Sequence, residues 1–147
     1  MKSQQIKTLL IEDDDIDAEA VLRAFQRQQI DTQFKIVSNG LDALKVMRRE
    51  NSNDNFAWPY LILLDLNMPR MNGFEFLQEL RKDERLRRSV VFVLTTSNRY
   101  EDKLAAYAHY VAGYFVKSKV GKDYLPVTQL IELYWQLVEF PPMRMDD

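Results

Sequence analysis

Five short stretches of the chain are apolar in nearly consecutive positions: Thr8–Ile11, Gln33–Val37, Tyr60–Leu64, Val90–Leu94 and Tyr114–Val116. Runs of this length, rich in branched aliphatic and aromatic residues, predict strands. "LILL" and "VVFVL" have no polar interruption, as expected of strands covered on both faces. Between and after the runs the apolar positions recur at i, i+3, i+4 and i+7. This spacing predicts helices packing through Ala18, Val21, Leu22 and Phe25, through Gly73, Phe76, Leu77 and Leu80, through Leu104, Tyr107, Ala108 and Val111, and through Val127, Leu130, Ile131 and Tyr134. A weaker helical segment carries Ala43, Val46 and Met47.

Strand and helix alternate five times, which predicts an α/β fold with a parallel sheet covered on both faces. The last helix carries a stripe for the sheet, Val127, Leu130, Ile131, Tyr134 and Val138, and a second at Leu133, Leu137 and Phe140 with Trp135 beside it. A helix apolar on two faces predicts a second partner, either another copy of the chain or a target protein. "NSNDN" (Asn51–Asn55) reads as a polar loop and "FPPMRMDD" as a frayed tail. With no internal repeat or linker, the expectation is one domain over residues 1–147, with its core at about 7–139 and a tail at 140–147.

Composition narrows the chemistry. The chain has 147 residues, 46% hydrophobic and 29% charged, enough for one substantial core. A net charge of -2 gives the whole no electrostatic attraction to nucleic acid or to an anionic membrane. The basic run Arg81, Lys82, Arg85, Arg87 and Arg88 reads as a solvated helix end balanced by Asp83 and Glu84. There is no cysteine, so disulfide and thiol chemistry are excluded, and with no signal peptide or long apolar run the expected location is cytoplasmic. The single histidine, His109, leaves no imidazole cluster for a metal and is assigned no chemistry.

In open parallel sheets, ligands bind beyond the carboxyl ends of the strands. There the sequence gathers Glu12 and Asp13 after the first strand, Asp65 after the third, Thr95 after the fourth and Lys117 after the fifth. Acids sharing one crevice cannot all ionise without a cation. A hard divalent ion such as Mg2+ suits oxygen donors, with Asp13 and Asp65 as direct ligands, Glu12 acting through water, and the Asn67 main-chain carbonyl placed to join them. Asp65 is then a plausible nucleophile toward phosphorus, giving an aspartyl phosphate. Lys117 and the Thr95 hydroxyl would meet the remaining phosphate oxygens. The local alternatives are bland: Asp14 or Asp15 capping the first helix, and Ser97 or Asn98 capping a helix that starts near Arg99.

"LLIEDDD", "LILLDLNMPRMNGFEFL", "VFVLTTS" and "GYFVKS", in this order, resemble the receiver domain of two-component response regulators. The resemblance implies a flavodoxin-like, doubly wound (βα)5 fold with strand order 2-1-3-4-5. It also implies Glu12 and Asp13 as the acid pair, Asp65 as phosphoacceptor, Thr95 as switch hydroxyl, Tyr114 as switch aromatic and Lys117 as phosphate-binding lysine. A sensor histidine kinase would donate the phosphoryl group. An extended third helix in "LRKDERLRRSVVFVLTTS", the "VKS" ending and "YWQLVEFPP" resemble the small regulators associated with phytochromes, which implies a phytochrome kinase as the partner. A downstream target or phosphotransfer protein, and a homodimer through the fourth helix, fifth strand and fifth helix, complete the implied partners. Ser118 follows Lys117 where many receivers have proline. The same residues leave three other readings. One is a receiver that is not phosphorylated and acts as a constitutive interaction module. A dehalogenase-like phosphatase would need its nucleophile after the first strand and a second aspartate where Asn67 stands. A nucleotide site would need closer glycines than Gly40, Gly73, Gly113 and Gly121.

Overall fold

The computed structural model describes residues 5–48 and 59–142. In chain order its elements are β1 (Ile6–Ile11), α1 (Asp15–Arg27), β2 (Thr32–Val37), α2 (Gly40–Arg48), β3 (Leu61–Leu64), α3 (Gly73–Lys82), β4 (Val90–Thr95), α4 (Tyr100–Ala108), β5 (Gly113–Val116), a 3-10 turn at Lys117–Lys119 and α5 (Leu125–Leu137). The five strands form one sheet in the order β2-β1-β3-β4-β5, and every neighbouring pair is parallel. The order reverses between β1 and β3, so their carboxyl ends flank the crevice where such folds place ligands. The expected "NSNDN" loop and the tail from Met143 onward lie outside the described residues.

The unbroken apolar strands are explained by two cores, one on each face of the sheet. Alternate side chains of a strand point to opposite faces. Ile62 and Leu64 therefore join Leu9, Ile11, Val91 and Val93 beneath α2 and α3, with Phe76, Leu77 and Leu80 as the α3 contribution. Leu61 and Leu63 join Leu10, Phe92 and Leu94 beneath α1 and α5, which supply Val21, Phe25, Val127, Ile131 and Trp135.

Local chemistry fixes the helix starts nearest the crevice. Asp14 caps α1, its carboxylate accepting from the N–H groups of Ile16 at 2.9 Å and Asp17 at 3.1 Å. Asn72 and Glu75 form a reciprocal capping box at the start of α3, with bonds of 2.9 and 3.1 Å. The first residue of α3, Gly73, donates its N–H to the Leu66 carbonyl at 3.0 Å. A Cβ there would lie 2.7 Å from both the Asp65 carbonyl and the Leu66 Cα. Only glycine lets α3 approach the backbone of Asp65 this closely.

Several expectations are corrected. Helix α3 is not extended: it ends at Lys82, where the Asp83 carboxylate takes up the N–H groups of Arg85 and Leu86 at 2.9 and 3.1 Å. The N-cap of α4 is Arg99, with no side-chain cap; the Ser97 hydroxyl donates to the Asp102 carboxylate at 2.5 Å and accepts the Arg99 N–H at 3.3 Å. Of the core stripe expected for α4, Leu104, Tyr107 and Ala108 face outward, while Val111, beyond the end of the helix, is buried, and within α4 it is Ala106 that is buried. On α5, Leu130 is exposed and Trp135 is buried; Phe140 folds back onto the rings of Tyr134 and Trp135, leaving Leu133 and Leu137 outside. Arg81 is not a solvated helix-end residue. Its guanidinium donates to the carbonyls of His109 (2.7 Å), Arg87 (2.7 Å), Ser89 (2.8 Å) and Tyr110 (3.0 Å), tying α3 to the chain on either side of β4.

Candidate functional site

Strand ends bring the acids together. β1 pairs with β3 from Thr8↔Leu61 to Ile11↔Leu64, so Glu12 and Asp65 are the next residues on adjacent strands. The Asp65 N–H still donates to the Ile11 carbonyl at 3.0 Å, which holds the acid at the sheet's edge. Carboxylate oxygens of Glu12, Asp13 and Asp65 all lie within 4.8 Å of one another. Glu12 and Asp65 are buried and Asp13 is exposed, so the cluster opens to solvent on the Asp13 side. The Asn67 N–H points back at the Asp65 carboxylate at 3.5 Å.

Lys117 arrives from the end of β5. Its ammonium donates to Glu12 at 2.7 Å and to Asp17, in the first turn of α1, at 2.8 Å. Burial alone would lower the lysine's pKa, but its bonds to Asp17 and Glu12, with the charges of Glu12 and Asp65, hold it above the ordinary value. Burial is also the largest influence on Glu12. Joined by the neighbouring Asp65 charge, it outweighs the Lys117 bond and pushes the carboxyl up to about 7. Three clustered carboxylates and Asp17 meet a single lysine here. An all-oxygen donor set with excess negative charge fits a hard divalent cation.

Thr95 closes the crevice from β4. It is fully buried and its hydroxyl has no hydrogen-bond partner among the described residues. Buried hydroxyls are normally satisfied, so Thr95 keeps an unused donor at the end of β4, as Thr8 does within β1. Tyr114, half-buried on β5, donates its hydroxyl to the Ser97 carbonyl at 3.0 Å, spanning from β5 to the loop before α4.

Glu12, Asp13 and Asp65, which sequence reasoning had gathered, thus form one cluster, with Lys117 bonded to Glu12; Asp17 was missed. Its signal was its place one helical turn beyond Asp13 and Asp14, which points it at the same edge of the sheet.

A doubly wound sheet with acids at its switch point, a lysine beyond its last strand and an unsatisfied hydroxyl between them defines the receiver class of signalling domain. Comparison with known proteins agrees, and the chain belongs to the response regulator receiver domain family, whose profile matches residues 8–125. Among curated proteins it is 37% identical over 127 residues to the response regulator Rcp1 of Synechocystis sp., covering 86% of each chain. Among solved structures it is similar to the Mn2+-bound form of Rcp1, with 36% identity and a TM-score of 0.79 over 93% of this chain and 99% of that one. It is also similar to the phosphorylated cyanobacterial phytochrome response regulator RcpA, with 31% identity and a TM-score of 0.81 over 94% and 99%. The protein is therefore a response regulator homologous to Rcp1 and to the phytochrome response regulator RcpA, in a family whose standard mechanism is phosphorylation by a kinase. Such homologues imply a histidine kinase partner. Among the described residues, no helix is long and apolar enough to cross a membrane.

Proposed function

We propose that Asp65 accepts a phosphoryl group from a sensor histidine kinase, a phytochrome, and that the change is read through the face formed by α4, β5 and α5. The observation that carries this reading is the convergence of three carboxylates within 4.8 Å at the sheet's switch point. In the transfer, an Asp65 carboxylate oxygen bonds to phosphorus as the P–N bond of the donor's phosphohistidine breaks. The bonding pair stays on the imidazole nitrogen, which leaves as neutral imidazole when its other nitrogen carries the ring proton. Glu12, Asp13, Asp65 and the Asn67 carbonyl would hold Mg2+, which supplies charge neutralisation for the phosphoryl oxygens when bound. Lys117 meets one phosphoryl oxygen and the Thr95 hydroxyl donates to another, gaining the partner it lacks.

The output follows from Thr95. Drawn toward the phosphoryl oxygen, it vacates space that Tyr114 enters, and the Tyr114–Ser97 bond is given up. The α4 residues Tyr100, Leu104 and Tyr107 and the α5 residues Leu130, Leu133 and Leu137 are exposed, and β5 is an edge strand of the sheet. We assign this face to a homodimer and, through it, to a downstream target or phosphotransfer protein. On this reading residues 1–147 are one cytoplasmic receiver domain, promoting only its own phosphorylation and dephosphorylation.

The test is intact-protein mass after incubation with acetyl phosphate, with and without Mg2+, for the wild type and Asp65→Asn. The reading requires a Mg2+-dependent gain of one phosphate in the wild type alone. No gain under conditions that label a known receiver would make the chain a constitutive interaction module.

A further inference from the structure

We propose that Asp17 is a positioning residue that holds Lys117 in its resting place and must release it when Asp65 receives a phosphoryl group. This rests on the assignment of Asp65 as acceptor and Lys117 as phosphate-binding lysine.

The resting geometry gives the ammonium two carboxylate partners from different elements, Glu12 at 2.7 Å and Asp17 at 2.8 Å. The two acids are not equivalent. The Glu12 side chain is 4% exposed, whereas that of Asp17 is 33% exposed. A buried carboxylate has little water to replace a lost cation, so breaking the Glu12 pair would cost more than breaking the Asp17 pair. Asp17 can be released because water takes over where Lys117 leaves. When a phosphoryl oxygen competes for the ammonium, Asp17 is therefore the partner that yields and Glu12 is the pivot.

Charge points the same way. Glu12, Asp13, Asp17 and Asp65 carry four negative charges in their ionised forms, against one positive charge on Lys117 and two on a bound divalent ion, so an excess of negative charge remains. Asp17 repels an incoming phosphoryl group while it also occupies the lysine. Both effects restrain uptake: when Asp17 becomes a neutral amide of the same shape the repulsion vanishes, and the hold on the lysine weakens to that of a bond to an uncharged acceptor.

The test uses the full chain with Mg2+ and acetyl phosphate, following initial rates of phosphate uptake by intact mass. Asp17→Asn is expected to take up phosphate roughly three to ten times faster than the wild type, the scale of one partly exposed charge. Asp17→Glu, which restores the charge, should return the rate to the wild-type range. A purely structural role cannot produce a faster variant that the conservative change reverses. Uptake by Asp17→Asn at or below the wild-type rate would overturn the proposal. A second measurement needs no variant: the carboxyl 13C signal of Asp17 in the wild type should shift when beryllofluoride is added with Mg2+, and an unmoved signal also overturns it. If the wild type itself takes up no phosphate and binds no beryllofluoride, the assignment of Asp65 fails first and this proposal falls with it. If the wild type responds and Asp17 does not, only this proposal fails.

Discussion

Replacing Arg81 with methionine is expected to lower the stability of the whole domain by about 3 kcal/mol. The side chain donates four hydrogen bonds to main-chain carbonyls, at 2.7, 2.7, 2.8 and 3.0 Å, and has no carboxylate partner among the described residues. A hydrogen bond to a charged group contributes roughly 1.5–3 kcal/mol net, and bonds from one guanidinium are not additive. Burial of the group opposes this and lowers its pKa, so the sum falls well below four times the single value. Methionine keeps the aliphatic packing but leaves the carbonyls of His109, Tyr110, Arg87 and Ser89 without this donor. The assay is equilibrium urea unfolding, supported by thermal melts, where about 3 kcal/mol in a chain of this size is roughly a 6–12 °C fall in Tm. Arg81→Lys should recover less than half of the loss, since an ammonium cannot reproduce the planar fork. A loss below about 1 kcal/mol, the value of an ordinary surface charge, would refute the reasoning. So would full rescue by lysine.

Three further outcomes are expected. Thr95→Val should be neutral or stabilising by up to roughly 1–2 kcal/mol in urea unfolding of the unphosphorylated protein, because the buried hydroxyl it removes is unpartnered; the same variant should lose the beryllofluoride-dependent change in association measured by sedimentation. Gly73→Ala should destabilise by at least about 2 kcal/mol and weaken Mg2+ binding measured by titration calorimetry, since its methyl group would press on the Asp65 carbonyl at 2.7 Å. At Asp83, burial acts to raise the carboxyl pKa, but the bonds from Arg48, Arg85 and Leu86 outweigh it and hold the group below its ordinary value. Its contribution is thus present above the unfolded pKa of about 3.9 and is lost as pH falls through the lower folded value. The stability gap between wild type and Asp83→Ala in urea titrations should accordingly be about 1–2 kcal/mol at neutral pH and narrow only in acid.

The sheet was legible because its strands are covered on both faces, so that Leu61–Leu64 and Val90–Leu94 appear as unbroken apolar runs with nothing to confuse the period. The acids could be gathered from sequence for a related reason: in a parallel sheet every strand ends at the same edge, and the residue after each run needs no further geometry. What periodicity could not tell was which apolar stripe faces inward. Leu104 and Tyr107 have correct helical spacing, yet the face of α4 that meets the sheet is the one with Ala106, because close approach favours a small residue. Trp135 lies off the expected core stripe of α5 and is buried, whereas Leu130 lies on it and is exposed. The Lys117–Asp17 pair joins residues 100 positions apart, and the Arg81 bonds end on carbonyls, which carry no side-chain signature in a sequence.

Helix α4 is fastened mainly at its ends, by Ser97 and Asp102 before and within its first turn and by the Arg81 bonds to His109 and Tyr110 after its last. Between these points it commits a single fully buried alanine to the interior. Such a segment is expected to open locally at a lower free energy than the strands beneath it. Its amides should exchange with deuterium ahead of those in α3 and α5. Whatever moves this helix then acts on the part of the molecule that loses least by moving, and the rest of the fold can remain still while the message passes.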